Sequence, residues 1–98
     1  MPHVRLSARA QSDILRLHAF LLGKDSNAAK RAVLAIRDAF MQLKQSHLIG
    51  RLVEDSAELR ELVIDFGARG YLALYRFEPS LDVVTILAIK HQREDDYQ

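Results

Sequence analysis

Two kinds of hydrophobic spacing divide the chain. As far as Leu43 the apolar positions recur at helical steps, and beyond Arg60 they alternate or run together as in strands. The segment "HVRL", residues 3–6, is a short strand candidate. Ser7 then stands where it can cap a helix on which Ala10, Ile14, Leu17 and Leu21 recur at steps of four, three and four. That spacing predicts one buried stripe. Gly23 falls at the left-handed position that ends many helices, and Asp25 or Ser26 in "KDSN" is the next cap. On the second helix Ala29, Val33, Ile36, Phe40 and Leu43 repeat as in a coiled-coil seam, and so few residues between the helices predict an antiparallel hairpin.

From Gln45 to Ser56 no period survives, which predicts a connecting loop. In "RELVIDF" the alternation returns, with Leu62, Ile64 and Phe66 on one face and Glu61, Val63 and Asp65 on the other. "GARG" closes this strand, "YLALYRF" forms a second, "EPSLD" turns the chain, and the nearly continuous apolar run "VVTILAIKH" predicts a third strand inside the sheet. The order β-α-α-β-β-β predicts an α+β fold: a single domain over residues 1–98, with an N-terminal helix hairpin covering one face of an antiparallel sheet.

Composition narrows the function. The 98 residues suffice for one core, and 49% hydrophobic with 28% charged residues is ordinary for a globular protein. No apolar run approaches a membrane span, and "MPHVRLSARA" has no signal-peptide core, so a cytoplasmic protein is expected. The absence of cysteine excludes disulfides and thiolate chemistry, and His3, His18, His47 and His91 lack metal-site spacing, so neither metal nor cofactor is expected. The net charge of +1 conceals an asymmetry: residues 1–51 hold nine Lys/Arg against three Asp/Glu, and residues 52–98 hold five against ten. Two solvated faces that attract each other account for this without nucleic acid.

Several stretches together resemble a known family. "IGR" in the loop (Ile49, Gly50, Arg51), "RELVI" opening the meander, "GYLALYRF", and "ILAIKHQREDDY" closing the chain are similar at these spacings to the RelE/ParE superfamily of bacterial toxins. The ending H-x-R-E-x-x-Y resembles the ParE branch. That resemblance implies the toxin of a type II toxin-antitoxin system with a role in plasmid stabilisation, a ParD-like antitoxin as partner and DNA gyrase as target. RelE-like members cut messenger RNA in the ribosome, which requires a proton acceptor, cations for the phosphate and an acid for the leaving oxygen. They resemble one another in carrying lysines on the first meander strand and an arginine just after "GY". Here that strand has no lysine and Leu72 follows Tyr71, so a binding protein is expected rather than an enzyme, without direct contact to nucleic acid. A degenerate ribonuclease, and a member of the fold that only binds antitoxin, are the alternatives.

The candidates for toxicity and target binding are His91, Arg93, Tyr97, Arg76 and Arg60. Each also has a structural explanation: His91 as a strand-end residue on the face of Leu87 and Ile89, Arg93 in a surface pair with Glu94, Tyr97 as a cap on the core, and Arg60 and Arg76 in structural ion pairs. On the second helix Lys30, Arg37 and Lys44 fall seven apart. Arg31, Arg37 and Lys44 are the candidates for meeting acidic residues of an amphipathic antitoxin segment.

Overall fold

Two capping side chains define the helix hairpin. In the computed structural model, which describes residues 2–68 and 70–92, Ser7 accepts the Ala10 N–H at the start of α1 (Ala8–Leu22). Asp25 accepts the N–H groups of Asn27 and Ala28 at the start of α2 (Ser26–Gln45). Such caps satisfy donors that the helix itself leaves without partners. Gly23 departs from expectation: its φ of −71° is right-handed. The Asp25 N–H folds back onto the Leu21 carbonyl at 2.7 Å, so the chain enters α2 from a continued right-handed turn and no reversal is needed.

Five strands make one sheet: β1 (His3–Leu6), β2 (Arg51–Leu52), β3 (Arg60–Ile64), β4 (Tyr71–Glu78) and β5 (Val83–His91), in the spatial order β1-β5-β4-β3-β2. The last three in sequence form the expected antiparallel meander, and β5, interior between β1 and β4, explains its apolar run. The sheet is nevertheless mixed, because β1 lies parallel to β5 with His3 opposite Val83 and Leu6 opposite Ile86. An isolated four-residue strand shows its alternation in sequence but not its direction. β2 lies inside the stretch expected to be loop, and two residues are too few for any period to register.

The helices cover one face. α2 buries Ala29, Ala32, Ile36, Ala39 and Leu43, and α1 buries Ala10 and Leu17, against Leu62, Ile64, Tyr71, Ala73, Tyr75, Val84, Ile86 and Ile89. Small alanines let the helices approach the sheet closely, and each fully buried aliphatic side chain contributes roughly 2 kcal/mol. Val33, expected in the stripe, is 40% exposed. Ala32 and Ala39 take the inward positions instead, which rotates the buried face of α2 away from the larger side chains.

Candidate functional site

Because Tyr71, Ala73 and Tyr75 point at the helices, Leu72, Leu74 and Arg76 of β4 point to the opposite, open face of the sheet. Cross-strand partners share a face, which adds Glu61 and Val63 from β3, Thr85, Ala88 and Lys90 from β5, and Arg5 from β1. The centre of this surface is apolar apart from Lys90, which is buried on β5 opposite Leu72. Val63 is 53% exposed opposite half-buried Leu72, with Leu74 two residues on. Charged groups at its margins are paired: Arg51 with Glu61 at 3.3 Å on one side, and on the other Glu78, which receives Arg5 at 3.1 Å, the Thr85 hydroxyl at 2.8 Å and Arg76 at 3.5 Å.

The described candidates occupy three separate places. His91 sits opposite Tyr71 at one end of the β4–β5 pair, its ring edge-on to the Tyr71 ring at 5.7 Å, and Phe66 stacks on the same Tyr71 ring at 5.7 Å. Arg76 lies five residues further along β4, about 17 Å away at 3.4 Å per residue, and on the opposite face. Its Nε is buried with no hydrogen-bond partner. Arg60 shares the helix-side face with its neighbour Tyr75 and donates to the carbonyls of Leu48 and Gly50, at 3.2 and 2.7 Å. It fastens a loop. Arg93 and Tyr97 lie outside the described residues. Leu87, expected on the face of His91, is instead the extra residue of a bulge: Tyr75 pairs with Ile86 and Leu74 with Ala88. Ile89 and His91 do share a face.

On α2, Arg31 and Arg37 are exposed and Lys44 is half-buried. Lys30, Leu34, Arg37 and Met41 follow one another on the side opposite the buried stripe, and Arg31 stands about 100° further round. Leu34 and Met41, like Leu15 and Leu22 on α1, are large apolar side chains left exposed.

Two further residues went unrecognised in the sequence. Tyr75 is fully buried, its phenol donating to the His47 carbonyl and accepting from Gly50 N–H, both at 2.8 Å. Burial pushes its pKa upward, against the opposing effects of the Gly50 bond and of Arg60. Asp13, buried on α1, accepts the Ile89 N–H of β5. Among the described residues there is no group of three potential metal ligands, and no helix is long and apolar enough to cross a membrane.

The architecture and the sequence both have relatives. Residues 4–96 match the family described as the ParE toxin of the type II toxin-antitoxin system parDE. Toxin RelE3 of Caulobacter vibrioides is 39% identical over 94 residues, spanning 96% of this chain and 98% of that protein. Among solved structures, the intact RelBE toxin-antitoxin complex of E. coli aligns with a TM-score of 0.66 at 11% identity, covering 96% of this chain and 100% of that one. The RelBE2 toxin-antitoxin complex of Mycobacterium tuberculosis aligns at 0.64 and 24% identity, covering 94% and 100%. The chromosomal ParDE system of P. aeruginosa aligns at 0.63 and 19% identity, covering 93% and 96%. At these identities the structural likeness establishes the fold.

Proposed function

Because this chain belongs to the ParE toxin family of type II toxin-antitoxin systems, we propose that it arrests growth by binding DNA gyrase in the cytoplasm and is silenced by a ParD-like antitoxin. The observation that carries the choice of target is the apolar centre of the open sheet face. Val63 and Leu72 stand there side by side. Cleavage of a phosphodiester needs donors aimed at the charge that develops on phosphorus, and each one missing costs about a hundredfold to a thousandfold in rate. Around this centre Arg51 and Arg76 are held by Glu61 and Glu78, so the surface suits a protein partner better than a phosphate backbone. His91, at the end of β5 on the helix-side face, extends the target-binding region round the end of the sheet, and Arg93 and Tyr97, which follow it in sequence, belong to the same proposal. Arg60 and Arg76 act mainly on the toxin's own structure.

The antitoxin reading rests on the helix hairpin. An amphipathic segment of the antitoxin orders on binding, places its apolar side chains on Leu34 and Met41, and sets acidic residues against Arg31, Arg37 and Lys44. The test is retention of host gyrase on the immobilised chain and its release when antitoxin is added. Gyrase that passes through unretained, with antitoxin still bound, would refute the target and leave the partner standing.

A further inference from the structure

β1 ends at Leu6 opposite Ile86, and among the described residues no strand lies beside the outer edge of β5 beyond that point. An uncovered edge exposes backbone donors and acceptors that need partners. Here α1 supplies them. The Ser7 hydroxyl donates to the Leu87 carbonyl at 2.9 Å, and Asp13 Oδ2 accepts the Ile89 N–H at 2.9 Å.

Asp13 is an improbable residue for this place on packing grounds. It lies on the stripe between Ala10 and Leu17 and is only 6% exposed, where an aliphatic residue would bury more apolar surface and escape the cost of desolvating a carboxylate. The cost is offset by the Ile89 N–H and by two guanidinium groups of α1 at 3.8 Å, Arg9 and Arg16. A buried charge so supported fixes a geometry. What it fixes is the final stretch of β5, two residues before His91. On the other edge of that stretch His91 pairs with Tyr71, and the Gln92 N–H donates to the Gly70 carbonyl at 3.1 Å.

We propose that Asp13 is a positioning residue for toxicity: through the Ile89 N–H it clamps the end of β5 between α1 and β4 and so sets where His91 stands against Tyr71. The inference rests on the reading above, in which the end of the sheet that carries His91 meets the target. Helix α1 thereby has a second task beyond covering the core. Its outward face is free for antitoxin while its inward carboxylate holds the target-binding end in register.

The experiment uses the full-length chain and three substitutions, Asp13→Ala, Asp13→Asn and Asp13→Glu, with Ile36→Val on α2 as a destabilised control that leaves Asp13 in place. Amide exchange at Ile89 and His91, the ring-current shift of the His91 ring from Tyr71, antitoxin binding and growth arrest are measured for each. Asp13→Ala should exchange about tenfold to a hundredfold faster at Ile89, lose the His91 ring shift and lose growth arrest, yet still bind antitoxin. Exchange at Val84 and Ile86 should stay slow, because β1 holds them. Asp13→Asn keeps an acceptor and should keep both the ring shift and arrest, which carries the test if the alanine variant fails to fold. Across the set, arrest should follow the His91 ring shift and not thermal stability. Full arrest in a variant whose Ile89 and His91 are released overturns the inference, as does loss of arrest in a variant that retains both. His91→Ala separates the two readings: full arrest there refutes the role of the sheet's end itself, and with it any role for Asp13 in placing it.

Discussion

Gly50 donates its N–H to the phenol oxygen of Tyr75 at 2.8 Å, at a place where a Cβ on residue 50 would come within 2.6 Å of that same ring. The phenol O–H in turn donates a hydrogen bond to the His47 carbonyl, and Arg60 holds the carbonyls of Leu48 and Gly50. A loop with no hydrophobic period of its own is thereby fixed by two side chains from the sheet.

Removing the phenol should loosen that loop. Tyr75→Phe leaves the Gly50 N–H and the His47 carbonyl without their partner and should cost about 1–3 kcal/mol in urea denaturation. Gly50→Ala forces its methyl against the Tyr75 ring and the Glu61 carbonyl and should cost about as much through overpacking. Wild-type stability in both variants would mean that the loop is held by other contacts.

The same phenol makes stability fall in alkali. Burial raises the pKa of Tyr75, and of Tyr71, above the ordinary value of 10.0, so the folded state holds these protons more tightly than the unfolded chain does. Their contribution is complete below pH 10 and is lost as pH rises through the folded-state values. Denaturation midpoints should therefore drop on passing pH 10, and phenolate absorbance should show two tyrosines titrating late. Tyr75→Phe should flatten the drop.

How much of this was legible in the sequence depended on whether a residue's role is periodic. The stripe Ala10, Leu17 and the alternation of Leu62 and Ile64 repeat, and the elements they predicted are present. The parallel pairing of β1 is set by contacts about eighty residues away, and the two-residue β2 is shorter than any period. Tyr75, Arg60 and Asp13 act through backbone atoms of distant segments, and a backbone carbonyl or N–H leaves no mark in the sequence. His91 and Arg76 are both candidates for target binding in the sequence, and strand parity and the length of β4 place them apart.

Substituting the apolar centre of the open face should separate toxicity from folding. Val63 is half-exposed, so Val63→Asp should cost at most about 1 kcal/mol in stability. It should abolish growth arrest and leave antitoxin affinity unchanged. Undiminished arrest would move the target-binding surface elsewhere.

The hairpin's outer face should report on the antitoxin alone. Leu34→Asp removes an exposed apolar contact and should weaken antitoxin binding by roughly thirtyfold, the effect of a strong interface residue. Arg37→Glu should weaken it about tenfold, with the loss shrinking at high salt. Titration calorimetry with the cognate antitoxin measures both, and unchanged affinities would place the antitoxin on another surface.

The choice of target is tested most directly by adding one preparation of the chain to host gyrase with supercoiled DNA and, in parallel, to translating ribosomes. With Leu72 directly after Tyr71 and no lysine on β3, supercoiling should be inhibited with accumulation of cleaved DNA, messenger RNA should stay intact, and antitoxin should reverse the effect. Codon-specific cuts in ribosome-bound messenger RNA, with gyrase unaffected, would contradict the account.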